Sequence, residues 1–515
     1  MALVELLERR RLERPREDFL HVGGETWTSE RLARHSDACS AAFAAASVGR
    51  GDHVALMLEN SADFVACFFA IARLGAISVT INPALRGDTL AYVLDHCDAR
   101  LLVIDGAALE TAAGAIDRAS RLETVWARGG APGLPSLEER LDGAPAPPEI
   151  VRRTSGECAS ILYTSGTTGR PKGVMLTDYG YGRAARWFVE ALRLSSDDVL
   201  QTCLPLFHVN AQQLSLCGAL TCGARLVLDR RFSATAFWSS IADHGVTSFN
   251  LIGAMLGILH AKESRAERRH QARVACVSPV PAAIYHECEE RFGVMLLDGY
   301  GLTETTPGNT YNPYGQARKG SCGKPAPYID LEIADAEGQP LPARAPGEIL
   351  IRATEPNVMM LGYYKDAQAT KQVLRGGWFH TGDRGYLDED GYLYFLDRLK
   401  DVIRRRGENI SPLEIERAAL AHPEVTEAAA VGLPSDLVGG EDDVALFVLR
   451  RPDAELDPRS VLAVCEERLA TFMVPRYIGI LDEFPRTETQ RVQKFALRER
   501  GASGCFDRLA EAPKS

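Results

Sequence analysis

The sequence predicts an α/β protein of parallel sheets covered by helices on both faces, followed by a small α+β unit near the C-terminus. Short apolar runs alternate with helical patterns over most of the chain, which is typical of such sheets. With 515 residues the chain is too long for one small core, and a norm of about 150 residues per domain suggests about three units. The pattern changes near residue 385, where a hairpin signal begins.

Buried strands are predicted at the short apolar runs. These are LLVID (101–105), ASILYTS (159–165), ARLVLD (224–229), VTSFNLI (246–252) and RVACVS (273–278). The stretch SATAFWSSIADH (233–244) lies between two of them and has an amphipathic helical pattern. The most apolar run, residues 65–81, contains Arg73 and Gly75. It therefore predicts a helix capped by Asn60 and ended at Gly75, then a strand, rather than a membrane span.

The C-terminal part begins with a predicted hairpin, GYLDEDGYLYFLDR (385–398), which turns at its central Asp-Gly pair. A helix is predicted to start at Ser411, with a capping box completed by Glu414, and to be stopped by Pro423. The change of pattern places a domain boundary between the hairpin and this helix. The predicted domains are 1–397 and 398–515.

Composition excludes several classes of protein. Hydrophobic residues make up 46% of the chain and charged residues 25%, as in ordinary globular proteins. The formal net charge of −11 argues against nucleic acid as a partner. The 12 cysteines include no C-x-x-C pair and no Cys/His ligand spacing, which favours reduced thiols in a cytoplasmic protein over disulfides or zinc. No run predicts membrane insertion, and the N-terminus does not match a signal peptide.

The stretch YTSGTTGRPKGVMLT (163–177) directly follows a predicted strand and combines glycine, hydroxyl and lysine residues. Glycines let backbone N–H groups approach an anion closely, hydroxyls add donors, and lysine adds charge. The spacing does not match a Walker A loop. A phosphate-binding loop is predicted at Thr164, Ser165, Gly166, Thr167, Thr168, Gly169 and Lys172.

This loop resembles the signature of the adenylate-forming superfamily, which contains acyl-CoA synthetases, adenylation domains and luciferases. Further motifs of that superfamily follow in the same order, and the resemblance covers most of residues 160–500. They are GYGLTET (299–305), WFHTGDRGYL (378–387), DRLKD (397–401) and RRRGENISPLEIE (404–416). The resemblance implies a large N-terminal domain of doubly wound sheets plus a distorted β-barrel, with a small mobile α+β C-terminal domain.

The resemblance also implies a site for ATP or AMP with Mg²⁺. Tyr300 would stack on adenine, Asp383 would bind both ribose hydroxyls, and Thr303 would contact the α-phosphate. Glu304 would hold Mg²⁺ and take part in catalysis, since a carboxylate suits a hard cation shared with phosphates. The other nucleotide-binding residues implied are Asp298, Gly301 and Arg398.

Members of this superfamily run two half-reactions. A carboxylate first attacks the α-phosphate of ATP, giving acyl-AMP and pyrophosphate, and then a thiol, usually that of coenzyme A, replaces AMP. The C-terminal domain rotates between the two steps, and Lys400 lies at the implied hinge. The implied CoA-binding residues are Arg406, Gly407 and Glu408.

The acid-binding side is implied by PLFHVNAQQ (205–213) and LIGAMLGIL (251–259). The implied acyl-pocket residues are His208, Asn210, Gln212 and Gly253, and His208 is also a catalytic candidate. The stretches RFSATAFWSSIADHGVT, CEERFGVMLLDGYGLTET and RGENISPLEIE look like the carnitine/crotonobetaine-CoA ligase branch. The expected substrate is an organic acid with a sizeable apolar body, or its acyl-adenylate; no single acid is specified.

One motif departs from the pattern. In most relatives the C-terminal motif ends P-x-T-x-x-G-K, and its lysine bridges the substrate carboxylate and the α-phosphate. Here the corresponding pair is Gln490-Arg491, with Lys494 one turn further if the segment is helical. Arginine is a planar fork and lysine a compact point charge, so the two are not equivalent. Three alternatives stay open for catalysis: Arg491 substitutes, Lys494 reaches the site, or adenylation is lost while thioester formation survives.

Other functions also stay open. A thioester-only enzyme would take an acyl-adenylate made by a partner adenylating enzyme. A non-catalytic homologue would retain only nucleotide affinity, and a carrier-protein ligase would pass the acyl group to a phosphopantetheine arm. Pyrophosphate release, measured beside CoA ligation of preformed acyl-AMP, separates a full ligase from the thioester-only enzyme. A homodimer is an open possibility.

Overall fold

The computed structural model describes residues 2–164, 170–262, 264–398, 402–435, 441–451, 454–486 and 492–510. Within these residues the protein is α/β, as predicted. The strands of the first 300 residues are β1 (Asp18–Val22), β2 (Glu25–Thr28), β3 (His53–Met57), β4 (Ile77–Thr80), β5 (Ala99–Asp105), β6 (Thr124–Arg128), β7 (Cys158–Thr164), β8 (Lys172–Thr177), β9 (Val199–Thr202), β10 (Arg225–Leu228), β11 (Ser248–Ile252), β12 (Val274–Ser278), β13 (Met295–Leu297) and β14 (Gly299–Tyr300).

The later strands are β15 (Thr310–Tyr311), β16 (Lys324–Pro325), β17 (Ile329–Ala334), β18 (Gly347–Ala353), β19 (Gly362–Tyr363), β20 (Leu374–Arg375), β21 (Trp378–Leu387), β22 (Leu393–Arg398), β23 (Ile403–Arg405), β24 (Glu408–Ile410), β25 (Val425–Pro434), β26 (Asp442–Arg450), β27 (Tyr477–Leu481) and β28 (Phe506–Asp507).

The α-helices are α1 (Leu3–Glu13), α2 (Ser29–Ala45), α3 (Ala62–Arg73), α4 (Gly87–His96), α5 (Leu109–Ile116), α6 (Leu137–Leu141), α7 (Asp178–Leu192), α8 (Cys217–Cys222), α9 (Phe237–Asp243), α10 (Gly253–Ala261), α11 (Tyr285–Phe292), α12 (Ala367–Val373), α13 (Pro412–Ala419), α14 (Pro458–Arg468) and α15 (Lys494–Arg500). Short 3₁₀ turns span Gly106–Ala108 and Arg265–Arg268, and a π-helix spans Asn210–Leu216.

Two large sheets form the core of the N-terminal part. Their strand orders are β13-β12-β11-β9-β10-β1-β2 and β19-β8-β7-β4-β3-β5-β6. The central pairs run parallel, while β2, β8 and β19 join antiparallel. The predicted strands are confirmed as β5, β7, β10, β11 and β12, and the predicted helix between two of them as α9. Strands buried on both faces read as continuous apolar runs, which is why the sequence shows them clearly.

Helix α3 and strand β4 occupy the most apolar run, and Gly75 follows the helix with a positive φ of 65°, as predicted. The predicted cap was wrong by one residue. The Ser61 hydroxyl accepts the N–H of Phe64 and caps the helix. The Asn60 amide instead donates to the carbonyl of Leu204, which ties the start of α3 to the neighbouring sheet.

A third sheet is antiparallel, with order β17-β18-β21-β20 and β22 paired to β21. It is the curled unit expected as the distorted β-barrel. The predicted hairpin is β21 and β22, and Gly391 has a φ of 79° at its turn. Because β21 carries the WFHTGDRGYL motif, this sheet carries Asp383.

The C-terminal part has its own sheet, β25-β26-β27-β28, and a separate hairpin of β23 and β24. Helices α13 and α14 pack on that sheet around a core that includes Ile415, Leu446 and Val461. The predicted capping box was wrong, because the Ser411 side chain makes no cap bond and Glu414 bonds Thr89 instead. Helix α13 ends at Ala419, before Pro423.

All 12 cysteines are free thiols. In the part of the chain that the structure describes, no helix combines the length and apolar character needed to cross a bilayer.

Candidate functional site

The phosphate loop is the closed end of an antiparallel hairpin. Strand β7 ends at Thr164, β8 begins at Lys172, and these two residues are direct cross-strand partners. The Lys172 ammonium lies 5.0 Å from the centre of the Tyr363 ring. The predicted residues Ser165, Gly166, Thr167, Thr168 and Gly169 lie outside the described residues, so the structure places the two ends of the loop.

Glu304 lies next to these loop ends. The Tyr363 phenol donates to its Oε1 at 3.0 Å, and the Thr164 hydroxyl donates to the same oxygen at 3.4 Å. Burial, and then the nearby Glu304 carboxylate, raises the pKa of the Tyr363 phenol. Sequence reasoning missed Tyr363, which lies 59 residues from Glu304 and reaches it only because β19 pairs with β8.

This geometry fits a site for Mg²⁺. One carboxylate is held in place by two hydroxyl donors at the mouth of the phosphate loop, and Mg²⁺ commonly binds through one or two carboxylates together with substrate phosphates and water. Within the described residues, no group of three His, Cys, Asp or Glu side chains could hold a metal by itself. The ion would therefore depend on the nucleotide for most of its ligands.

The predicted adenosine residues meet between two sheets. The Tyr300 phenol donates to Oδ2 of Asp383 at 2.7 Å, although 83 residues separate them. Asp383 is only 2% exposed. The Phe395 ring is stacked with Tyr300 at 6.2 Å between centres and 27° between planes. Phe395 was missed from the sequence, and Arg398 pairs in register with Asp383 on β22.

Asp298, Gly301 and Thr303 shape the turn that carries Tyr300. The buried Asp298 carboxylate accepts the Ser278 hydroxyl and the N–H groups of Val280 and Gly299. Burial raises the pKa of Asp298 to about 7. A Cβ at Gly301 would lie 2.6 Å from the nitrogen of Gly308, so only glycine allows this close approach. The Thr303 carbonyl accepts the N–H of Thr306 at 3.4 Å.

Two neighbouring glutamines at the predicted acyl pocket differ in their bonding. Gln212 is fully buried, and its amide nitrogen donates to the Leu206 carbonyl at 2.6 Å and to the Thr80 hydroxyl at 3.2 Å. The Tyr181 phenol donates to the Gln212 carbonyl, so Gln212 braces the wall. Gln213 is equally buried, yet neither of its amide atoms has a partner within the described chain.

Asn210 and Gly253 lie at the starts of two helical segments near His208. Asn210 begins the π-helix, and its side-chain Oδ1 is buried with no partner among the residues that the structure describes. Gly253 begins α10, and a Cβ there would lie 2.2 Å from the Pro279 carbonyl oxygen. Glycine at this position therefore lets the 278–280 turn close against the helix.

The predicted CoA residues form the tip of a tight hairpin. Arg406 and Gly407 connect β23 to β24 with φ angles of 53° and 80°, as a two-residue hairpin turn requires. The Glu441 carboxylate accepts the N–H groups of both residues. A Cβ at Gly407 would lie 2.5 Å from Cδ1 of Ile252, which belongs to the N-terminal part.

Glu408 joins the two parts of the molecule at the predicted acyl pocket. Its Oε1 lies 2.8 Å from Nε2 of His208 and accepts the Asn82 amide at 3.3 Å. Burial lowers the pKa of His208, but the Glu408 carboxylate outweighs that effect and holds the pKa above its usual value. The structure therefore brings His208 to the hairpin tip at Gly407 and Glu408, which lies 200 residues further along the chain.

The C-terminal candidates lie elsewhere. Arg491 and the hinge candidate Lys400 fall outside the described residues. Lys494 is the first residue of α15, not one helical turn beyond Arg491, because Val492 and Gln493 are not helical. Its ammonium lies 2.7 Å from Oε1 of Glu416 on α13, so the structure places Lys494 against its own domain.

Comparisons with known proteins agree with this geometry. The family model described as AMP-binding enzyme matches residues 7–364, and that of the AMP-binding enzyme C-terminal domain matches residues 414–491. A crotonobetaine/carnitine–CoA ligase of Salmonella typhimurium is 33% identical over 468 residues, covering 88% of this chain and 90% of that protein. This likeness confirms the branch that the sequence motifs predicted.

Two solved structures are similar over nearly the whole chain. An anthranilate CoA ligase in complex with anthranoyl-AMP has a TM-score of 0.75 and 28% identity, covering 97% of both chains. A double mutant of o-succinylbenzoate CoA synthetase from Bacillus subtilis, bound to a product analogue, has a TM-score of 0.84 and 27% identity, covering 96% of this chain and 98% of that one.

Proposed function

The chain belongs to the AMP-binding enzyme family and is an acid–thiol ligase of the acyl-CoA synthetase type, and we propose on that premise that it joins an organic carboxylic acid to coenzyme A through acyl-AMP. The observation that carries the proposal is the contact between Glu408 and His208 at 2.8 Å. The contact supports the proposal because Glu408 is a proposed CoA-side residue and His208 a proposed acid-side residue.

In the first half-reaction a carboxylate oxygen attacks the α-phosphorus of ATP, and the bond to pyrophosphate breaks. Two anions must approach each other, so positive charge near the phosphates stabilises the transition state. Lys172 would supply charge at the loop, while Tyr300 and Asp383 would hold the adenosine. Mg²⁺, when bound, would neutralise phosphate charge, and Glu304 is the residue that would hold it.

In the second half-reaction the CoA sulfur attacks the acyl carbonyl carbon, and the bond from that carbon to AMP breaks. Gly407 and Glu408 would line the path of the pantetheine arm. The absence of a side chain at Gly407 lets the hairpin approach Ile252 closely, and the Glu408–His208 contact would close the acid site against water. These roles need little additional charge at the α-phosphate.

Arg491 is our candidate for the cation that assists adenylation, because Lys494 is engaged by Glu416 in this arrangement. That same ion pair favours a second candidate function. If Arg491 cannot replace the usual lysine, the protein would take a preformed acyl-adenylate and carry out thioester formation alone. Loss of one transition-state cation costs about 10²–10³ in rate, which is enough to separate the two activities.

The test is a paired assay over a panel of organic acids. A full ligase releases pyrophosphate with free acid and ATP, and it also makes CoA thioester from synthetic acyl-AMP. A thioester-only enzyme gives the second product without the first. Failure of both reactions across the panel would leave the non-catalytic homologue. Arg491→Lys should raise pyrophosphate release if the arginine fork limits adenylation, and an unchanged rate would move that role to another residue.

A further inference from the structure

Residues 82–89 run from the loop after β4 into the first turn of α4 and contact the C-terminal domain at several points; we call this stretch the docking segment. At one end the Asn82 amide donates to Oε1 of Glu408 at 3.3 Å. At the other end the Thr89 hydroxyl donates to the half-buried Glu414 carboxylate on α13. Between them, Ala84 packs against the apolar core of the C-terminal domain.

Gly87 lies directly against the backbone of the C-terminal domain. This residue has a φ of 55°, and a Cβ there would lie 2.8 Å from the backbone carbonyl oxygen of Arg468, at the end of α14. The next residue, Asp88, lies 3.9 Å from the Arg468 guanidinium. A backbone atom cannot move aside like a flexible side chain, so any residue larger than glycine would push the two domains apart.

The hydrogen bond between Thr89 and Glu414 can form in only one arrangement of the two domains. Burial raises the pKa of Glu414, and the Thr89 hydroxyl opposes that rise by bonding the carboxylate. A buried carboxylate is costly unless it is bonded. The partner comes from the other domain, so the bond exists only while the domains are docked as in this structure.

We propose that residues 82–89 dock the C-terminal domain in the arrangement that forms the thioester, with Gly87 as the positioning residue. The inference rests on the proposed function. The docking segment lies beside the Glu408–His208 contact but supplies none of the predicted nucleotide residues. Disturbing it should therefore affect CoA ligation and leave the binding of acyl-AMP unchanged.

The direct test is Gly87→Val, with Gly143→Val as the matched control. Gly143 also has a positive φ, of 72°, but a Cβ there would meet no atom within 4 Å, so the control carries the backbone strain without the clash. Gly87→Val should lower CoA-thioester formation from acyl-AMP by about 10- to 100-fold, the usual effect of a small misplacement. Its affinity for acyl-AMP should stay within about twofold of the wild type.

A wild-type rate in Gly87→Val, or an equal loss of acyl-AMP affinity, would overturn the inference. Thr89→Val should give a smaller loss of about fivefold, the value of roughly one hydrogen bond, and Thr89→Ser should restore the rate. Failure of Thr89→Ser to restore it would also count against the docking role.

Hydrogen exchange separates this inference from the proposed function. In the wild type, the amides of 82–96 and 458–469 should be protected together, and Gly87→Val should expose both stretches while Gly143→Val exposes neither. Coupled protection in a protein that makes no thioester would support docking and overturn the proposed function. Independent exchange of the two stretches would overturn docking, whatever the activity.

Discussion

The hairpin 403–410 and the segment 492–500 both belong to the small C-terminal domain, but they differ in what they touch. The hairpin reaches His208, Asn82 and Ile252 of the large domain. The later segment turns inward, because Lys494 pairs with Glu416 of its own domain. The difference teaches that one domain position can assemble the proposed CoA side of the site while a candidate cation is paired within its own domain.

The largest expected effect comes from disturbing the contact between the hairpin 403–410 and the large domain. Gly407→Val adds a side chain where a Cβ would lie 2.5 Å from Ile252, at a φ of 80°. Thioester formation from acyl-AMP should fall by about 100-fold or more. The matched control is Gly504→Val, which has a φ of 75° and no atom within 4 Å of the added Cβ. Equal rates in the two variants would contradict the close docking of the hairpin.

Breaking the ion pair between Lys494 and Glu416 should lower the stability of the protein more than it changes the rate of adenylation. Lys494→Met leaves Glu416 half-satisfied, since that carboxylate still accepts the N–H of Ala430 at 2.9 Å. The free energy of unfolding should fall by about 1–3 kcal/mol, measured by urea denaturation, with pyrophosphate release unchanged. Loss of pyrophosphate release at full stability would instead identify Lys494 as the adenylation cation.

Substitution of a nucleotide-site residue in the large domain should weaken both half-reactions equally, in contrast to the variants of the C-terminal domain. Tyr300→Phe removes the phenol that donates to Asp383 at 2.7 Å. AMP affinity should fall about fivefold, the value of roughly 1 kcal/mol for one hydrogen bond, and both half-reactions should weaken equally at low nucleotide. Isothermal titration with AMP checks the affinity, and a loss confined to one half-reaction would count against a shared role.

The smallest effect concerns pH. Because Glu408 raises the pKa of His208, the charge attraction between them is fully present below about 6.5, the ordinary value. It is lost as pH rises through the raised pKa. We therefore divide the rate of thioester formation by the wild type by that of His208→Gln. This ratio should fall by about two- to threefold as the pH of the buffer rises into the alkaline range. A ratio that does not change with pH would show that the contact contributes no docking energy.

The two large sheets could be predicted because their buried strands are written as continuous apolar runs, as at β5 and β12. Two residues that complete the site could not be predicted from the sequence. Tyr363 reaches Glu304, and Phe395 reaches Tyr300, only because strands from distant segments pair in the fold. The local capping rule failed at α13 because a long-range hydrogen bond took its place. The Glu414 carboxylate does not complete the predicted capping box and instead accepts a hydrogen bond from Thr89 of the other domain.

The predicted site is therefore best defined where motif and geometry agree. Asp383 and Tyr300 came from separate motifs, and the structure joins them directly. Arg491 and Lys400 remain predictions, because they lie outside the described residues. The domain boundary at 397/398 also stays a prediction.

The hairpin that carries the phosphate loop has an electrostatic consequence. Many phosphate sites gain charge from the positive end of a helix dipole. Here the loop joins β7 to β8, and the next helix, α7, begins at Asp178, at the far end of β8. The start of α7 therefore lies away from the Thr164 and Lys172 ends of the loop. Positive charge at the Lys172 end comes from side chains, those of Lys172 and Arg170, and binding of a triphosphate there should weaken steeply as ionic strength rises.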